Sequence, residues 1–142
     1  MVMMATTVRD IRPKPADSEK ITINVGYVDL GHIDLLVHEG FYSNRTDLIR
    51  TAIRNQLERH GDAIQQSVAH HRLDLGLRRF DRRELEAVRL ASKTLHIQVL
   101  GLAVIADDVT PELARETIAS LHVLGALQAS AAVKAALSDR IR

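Results

Sequence analysis

The sequence predicts an α+β protein made of two different parts. Near its start, apolar Ile21, Ile23 and Val25 alternate with polar residues at the period of a β-strand, and two amphipathic helical segments follow. In the second half, short strand-like and helix-like stretches recur at an interval of about 24 residues. We therefore expect an N-terminal strand-helix-helix unit, followed by a small C-terminal domain of strand-helix repeats.

The N-terminal strand, residues 20–25, has no partner strand nearby in the sequence. A lone strand leaves backbone N–H and C=O groups unpaired, and the simplest remedy is antiparallel pairing with the same strand of a second copy. The sequence thus predicts an intertwined homodimer held by an intermolecular two-stranded antiparallel ribbon. We expect its core to contain Ile21, Ile23, Val25, Ile33, Leu36, Val37, Leu48, Ile49, Ala52 and Ile53.

The polar residues of the same strand are Lys20, Thr22 and Asn24. A two-stranded ribbon fits the major groove of B-DNA, where lysine can donate to guanine and asparagine can pair with adenine in a bidentate manner. Threonine offers a hydroxyl group and a methyl group for thymine. These three residues are the candidate base-reading side chains of double-stranded DNA.

The segment 20–60 also carries the run Tyr42-Ser43-Asn44-Arg45-Thr46-Asp47, followed by Ile49-Arg50-Thr51-Ala52-Ile53-Arg54. With the alternating strand and the two helices, this segment resembles the ribbon-helix-helix family of bacterial DNA-binding proteins, the fold of the Arc, MetJ and CopG repressors. The resemblance covers about two-fifths of the chain. It implies that Ser43, Asn44 and Arg45 bind a DNA phosphate at the start of the second helix, and helix N-termini do favour anions.

Three further segments complete the predicted organisation. Residues 1–19 are polar and proline-containing, and we expect a flexible arm that either follows a neighbouring DNA groove or remains a solvated tail. The second helix should end near Arg59, and residues 61–72 should form a helical connector. Residues 73–142 then form the C-terminal domain, which we expect to serve in oligomerisation or regulation.

Local signals predict the elements of that domain. Asp81 with Glu84 forms a capping box for a helix over 82–91, and a strand should run over 95–106. Pro111 should lie in the first turn of a helix that reaches about residue 120, capped by Asp108 or Thr110. Ile97-Gln-Val-Leu-Gly superposes on Leu121-His-Val-Leu-Gly, and a third, degenerate unit begins at Leu75-Gly76-Leu77. Stacked repeats and chance similarity in a Leu- and Ala-rich stretch both account for this offset.

Composition and charge limit the classes of function that fit the chain. The net charge is +1, cysteine is absent, and the apolar stretches are too short to span a bilayer, so we expect a soluble, cytoplasmic, nucleoid-associated protein. Residues 72–93 hold seven basic and four acidic residues, which suits either an anionic partner or a solvated helix face. With four aromatic residues in the chain, a stacking platform for single-stranded nucleic acid is not expected.

The sequence favours a transcriptional regulator that represses by occupying its operator over several alternatives. These are a DNA-organising or partition protein that assembles through its C-terminal domain, an antitoxin-type autoregulator and a metal-responsive repressor. The seven histidines lack ligand spacing, so no metal site and no cofactor are predicted, and a small-molecule effector is undetermined. Because the sequence contains no nucleophile-base set and no Gly-rich phosphate loop, no catalytic residues are predicted and an enzyme is not expected.

Overall fold

The computed structural model describes residues 18–142, so the predicted arm 1–19 lies almost wholly outside the described residues. The chain divides into two compact units, and the boundary between Leu48 and Ile49 falls within the second helix. The elements, in order, are α1 (Tyr27–His38), α2 (Arg45–Arg59), α3 (Gly61–His71), β1 (Asp74–Phe80), α4 (Arg82–Leu90), β2 (Leu95–Ile105), α5 (Pro111–Thr117), β3 (Ile118–Gln128) and α6 (Ala131–Ala136).

The first unit begins with an extended segment. Residues 19–26 belong to no helix and to no strand ladder of the single chain, and Gly26 then caps α1. The end of α1 is closed by hydrogen bonds from the Glu39 amide to the Leu35 carbonyl, 2.9 Å, and from the Gly40 amide to the Val37 carbonyl, 3.1 Å. Gly40 has a φ of 86°, which a residue with a side chain rarely adopts. This turn separates α1 from α2.

The second unit contains a three-stranded parallel sheet in the order β1-β2-β3. Each strand is followed by a helix, because two parallel neighbours need a crossover connection. The register places Gly76, Gly101 and Gly125 opposite one another. Between β2 and β3 it pairs residues 24 positions apart from His96 to Val104.

Side chains cap α4, α5 and α6 at their N-termini. The Asp81 carboxylate accepts a hydrogen bond from the Glu84 amide at 2.8 Å, and the Thr110 hydroxyl accepts from the Leu113 amide at 3.2 Å. The Ser130 hydroxyl caps α6 in the same way. Each cap satisfies an amide that has no carbonyl partner within its helix. The predicted helices over 82–91 and from Pro111 are confirmed, with Thr110 as the cap of the second.

The end predicted for the second of these helices is wrong. Instead of reaching residue 120, α5 ends at Thr117, and β3 begins at the next residue, Ile118. Both residues are fully buried, and the Thr117 hydroxyl donates to the Leu113 carbonyl at 2.7 Å. The Ile118 backbone has φ −103° and ψ 106°, which is extended rather than helical. Tertiary burial therefore ends the helix one turn early, where the local sequence offers no glycine or proline as a stop signal.

One face of the sheet packs against the helices and forms the core. Each fully buried leucine or isoleucine there contributes about 1.5–3 kcal/mol to stability relative to an exposed one. The buried cluster consists of Phe80, Leu85, Ile97, Val99, Ala103, Ile105, Val109, Leu113, Ala114, Ile118, Leu121, Val133 and Leu137.

The opposite face of the sheet carries a ladder of apolar side chains. Leu75, Leu100 and Leu124 lie side by side in the register, and the next row contains Leu77 and Leu102 beside Ala126. Leu75 is 72% exposed, Leu77 66% and Leu124 47%. The described residues thus leave this face largely open to solvent.

The last residues of the chain lie along part of the β3 edge. Ile141 forms a parallel bridge with Leu121, whose amide donates to the Arg140 carbonyl at 3.0 Å and whose carbonyl accepts from the Arg142 amide at 2.9 Å. The Arg140 guanidinium also donates to the carbonyls of Arg115 and Ile118, at the junction of α5 and β3. Within residues 18–142, no helix is both long and apolar enough to cross a membrane.

Candidate nucleic-acid interface

The extended segment before α1 presents both sets of side chains to solvent. Lys20, Thr22 and Asn24 are exposed, as the base-reading expectation requires. Ile21 and Ile23, which the sequence analysis assigns to a dimer core, are also exposed, at 82% and 68%. None of the described residues therefore packs over the apolar side chains Ile21 and Ile23.

The helices share this lack of burial. None of α1, α2 and α3 contains a buried residue. Of the expected dimer-core residues on α1 and α2, the side chains of Ile33, Val37 and Leu48 are half-buried, whereas Ile53 is 53% exposed. Leu36, Ile49 and Ala52 are exposed as well. Apolar side chains left exposed in this way are typical of surfaces that a partner covers.

The N-terminus of α2 is held by contacts among Ser43, Asn44 and Asp47. The Asn44 side-chain oxygen accepts from the Asp47 amide at 2.8 Å, so Asn44 is the N-cap. The Asp47 carboxylate accepts from the Ser43 amide at 3.0 Å. The Asn44 side-chain oxygen is thus occupied by the cap, and the first-turn amides and the positive end of the helix dipole remain as the anion-binding features.

Arg45, the first residue of α2, is paired with Asp34 of α1. Its Nε donates to Oδ1 at 2.7 Å and its Nη2 donates to Oδ2 at 2.8 Å, which is a bidentate charge-assisted contact. The hydrogen bond from Arg45 lowers the pKa of the Asp34 carboxyl below its ordinary value, and the same bond raises the pKa of Arg45. Both side chains are about half exposed. The pair holds the guanidinium beside the helix N-terminus.

Sequence reasoning missed Asp34. It lies eleven residues before Arg45, and no spacing rule within one helix connects the two. The only signal was an acidic residue among the apolar residues of the second half of α1, between Ile33 and Leu35. Phe41, 71% exposed in the turn before α2, was also left out of the expected apolar surface.

The basic segment 72–93 is partly neutralised by its own acidic residues. Arg78 pairs with Glu84 at 2.9 Å, and Arg82 pairs with Glu86 at 3.0 Å. The Arg78 guanidinium also lies 4.5 Å above the centre of the Phe80 ring. These contacts reduce the charge available to an anionic partner, which favours the interpretation of a solvated helix face.

The histidines do not converge. In the part of the chain that the structure describes, no group of three His, Asp or Glu side chains is placed to hold a metal ion. His96 and Ser120 lie on neighbouring strands with Nδ1 and Oγ 2.8 Å apart. The rings of His70 and His71 meet edge to face at 4.9 Å at the end of α3.

The family assignment follows from most of the chain rather than from the N-terminal segment alone. Residues 16–134 match the sequence model described as the Ribbon-Helix-Helix transcriptional regulator family, which is more than four-fifths of the chain. The chain belongs to this family. Comparisons with curated proteins and with solved structures gave no significant match.

The match extends the resemblance based on residues 20–60. The family of this regulator and its α+β architecture are therefore established. The matched region also includes β1 to β3, which lie in the C-terminal half that the sequence alone assigned to no known family. Members of such a family are DNA-binding transcriptional regulators and generally not enzymes.

Proposed function

We propose that this protein is a sequence-specific repressor that occupies operator DNA as a homodimer, in the bacterial nucleoid. The observation that carries the proposal is the exposure of Ile21 and Ile23, at 82% and 68%, two apolar side chains of the segment before α1, a helix that itself has no buried residue. Covering such a surface with a second copy follows directly from the hydrophobic effect.

In the proposed dimer, residues 20–25 of two copies pair as an antiparallel ribbon. Among residues 18–142, the backbone of this segment has no ladder partner, which leaves its hydrogen-bonding groups for that pairing. Pairing would turn Ile21, Ile23 and Val25 inward and leave Lys20, Thr22 and Asn24 on the outer surface. That surface is the one that enters the major groove and reads the bases.

The N-terminus of α2 then fixes the dimer on the DNA backbone. We infer that a phosphate oxygen binds the first-turn amides next to Ser43 and Asn44, and that Arg45 adds a charge-assisted bond. In this arrangement Asp34 has two effects. It positions the guanidinium of Arg45 before DNA arrives, and it competes with the phosphate for the same donors.

In this proposal, each segment of the chain has its own role. Residues 20–60 form the DNA-binding and dimerisation domain, 61–72 the connector and 73–142 an assembly or regulatory domain. We infer that the three strand-helix units are repeats of one another, an inference supported by the alignment of Gly76, Gly101 and Gly125 across the sheet. Their open apolar face and sheet edge favour self-association into oligomers larger than a dimer.

The target sequence can be found by sequencing the DNA fragments that are recovered with the full-length protein from cells. A short inverted or tandem repeat upstream of genes is the expected result. Fragments without a shared sequence would contradict sequence-specific repression and would favour an architectural DNA-binding role.

Single substitutions then separate base reading from phosphate binding on the recovered site. Asn24→Ala should lower discrimination at one base pair by about 1–3 kcal/mol. Arg45→Ala should weaken binding to all sequences and flatten the salt dependence. Lys134→Ala, which removes an exposed cation on α6, is the matched control and should bind as wild type does.

A further inference from the structure

The β1 edge of the sheet has free backbone groups. The Phe80 carbonyl accepts from the Ala106 amide at 2.8 Å, so Phe80 directs its backbone groups toward β2. Backbone direction alternates along a pleated strand. The N–H and C=O groups of Leu75, Leu77 and Arg79 therefore point away from β2, where none of the described residues forms a strand beside them.

The two edges of the sheet differ in this respect. At β3, the chain itself covers the backbone of Leu121 with residues 140–142. At β1, two large apolar side chains, Leu75 and Leu77, remain 72% and 66% exposed. The β1 edge has no proline, and its one backbone irregularity, Gly76, stays within the continuous pairing with β2. An edge of this kind is a template for another strand.

The side chains of β1 make the strand complementary to itself. On the helix-covered side of the sheet, Asp74 and Arg78 lie on either side of Gly76 with opposite charges. On the open side, Leu75 and Leu77 flank the same glycine. A two-fold axis at Gly76 therefore opposes each Asp74 with an Arg78, whose guanidinium also contacts Glu84 of its own chain, and each leucine with a leucine.

We propose that β1 pairs in an antiparallel manner with β1 of a second copy about an axis at Gly76. Leu75 then lies opposite Leu77 of the partner subunit, and Asp74 lies opposite Arg78 of the partner subunit. The two parallel sheets become one continuous sheet with a doubled leucine ladder on its open face. This pairing rests on the assembly role proposed above for residues 73–142. It specifies which surface of that domain associates and in which strand register.

Neighbouring registers fit less well. An axis at Leu77 would place Leu75 opposite Arg79 and Asp74 opposite Phe80, so that neither charge finds an opposite charge. An axis at Leu75 would place Asp74 opposite Gly76 and Leu77 opposite Leu73, which is buried in its own chain. Cross-strand pairs of opposite charge and of like apolar side chains are the ones that stabilise a sheet.

Disulfide cross-linking tests the register, because the chain contains no cysteine. Leu75→Cys and Leu77→Cys proteins are unfolded in urea, refolded as a mixture and oxidised. In the proposed register, the two cysteines have Cα atoms about 5.5 Å apart, within disulfide range, whereas identical cysteines are about 7–8 Å apart. The mixture should form a cross-linked pair, and each protein alone should not.

Leu90→Cys is the control, because Leu90 is 83% exposed but lies on α4. A mixture of Leu90→Cys with Leu75→Cys should remain uncross-linked. The proposal is overturned if the Leu75 and Leu77 mixture gives no cross-link, or if one of these proteins cross-links alone as fast as the mixture does. The first result would leave the β1 edge to a different partner.

A charge exchange provides an independent measurement on the full-length protein. Asp74→Arg places like charges opposite each other at two symmetric positions and should weaken the association measured by sedimentation about tenfold. Adding Arg78→Asp should restore most of the association. Asp107→Arg, the same change in the exposed loop after β2, should leave the mass unchanged. Unchanged association of the Asp74→Arg protein would contradict the pairing.

The outcome separates this pairing from the proposed function. A protein that binds a specific operator as a dimer without the cross-link refutes the β1 pairing alone. A protein that forms the cross-link but binds duplex DNA without sequence preference refutes the repressor function and leaves the pairing standing.

Discussion

Arg45 and Asp34 form a bidentate ion pair that joins the first turn of α2 to α1, with donor-to-acceptor distances of 2.7 and 2.8 Å. The planar guanidinium is thereby held in one orientation beside a helix N-terminus. The same two donors are those that a phosphate would use. If the proposed phosphate contact forms, the Arg45–Asp34 pair is the point at which the contact within the chain and DNA binding compete.

We expect Asp34→Asn to strengthen binding to all duplex DNA sequences. The substitution removes a negative charge next to each proposed phosphate contact and frees the Arg45 fork. The gain should be about tenfold at low ionic strength and should shrink as salt screens the charges. Fluorescence anisotropy with a labelled operator at several salt concentrations measures it.

Glu58→Gln, near the other end of α2, is the matched control and should change affinity little. If Asp34→Asn instead weakened binding as Arg45→Ala does, then positioning of the arginine would outweigh competition for it.

The melting temperature of the helical signal should rise with protein concentration, because the proposed dimer core is completed by a second copy. Ile53→Lys should abolish this dependence and destabilise the dimer by about 2 kcal/mol or more, since it places a charge in an apolar interface. Circular dichroism over a hundredfold range of concentration and sedimentation both report the change. Asn55→Lys, an exposed residue of the same helix, should behave as wild type. A concentration-independent melt of the wild type would contradict the dimer.

Gly101→Ala should destabilise the C-terminal unit by several kcal/mol. Gly101 has a φ of 136°, and an added Cβ would overlap the Gly76 carbonyl oxygen on the neighbouring strand. Gly76→Ala separates the two causes, because Gly76 has a φ of 107° but open space around the Cβ position. Gly76→Ala should lower the free energy of unfolding only by the backbone strain, about 1–3 kcal/mol. Equal losses in urea denaturation of the two variants would show that overlap between strands is unimportant.

The pair formed by Arg115 and Asp139 should contribute to stability only above strongly acidic pH. The hydrogen bond from Arg115, at 2.9 Å, holds the pKa of Asp139 below its ordinary value of 3.8. A carboxyl whose pKa is lower in the folded state stabilises that state above its unfolded-state pKa, and this contribution is lost as the pH falls through the folded value. Asp139→Asn should therefore lower the melting temperature at neutral pH, and the difference should shrink below about pH 3.8. A constant difference across that range would contradict the assignment.

The features predicted correctly from the sequence depend on neighbours in the chain. The Asp81 cap on the Glu84 amide and the Thr110 cap each involve residues within one helical turn. The end of α2 at Arg59 follows from a local stop signal, and the Glu84 carboxylate bonds to Arg78 instead of completing the predicted capping box. The alternation along Leu95, Ile97 and Val99 likewise predicts β2, because strand pleating is a local property.

The features that were missed depend on contacts between distant parts of the chain. Asp34 reaches Arg45 only after two helices have formed, and Ile118 starts a strand because the core buries it. The exposure of Leu75 and Leu77 was also not predicted, because a leucine in a strand pattern is expected to be buried. The base-reading and phosphate-binding residues of the candidate site stay predictions, because their roles depend on a second copy and on DNA.

Helix α5 ends at Thr117 and strand β3 begins at Ile118, and this direct junction limits where homologous chains can differ in length. With both residues buried and no linker between helix and strand, one inserted residue there would rotate β3 by half a pleat and turn its core side outward. The turn between α4 and β2, residues 91–94, is exposed and can absorb extra residues. Insertions and deletions among family members should therefore accumulate at the second junction and be absent from the first.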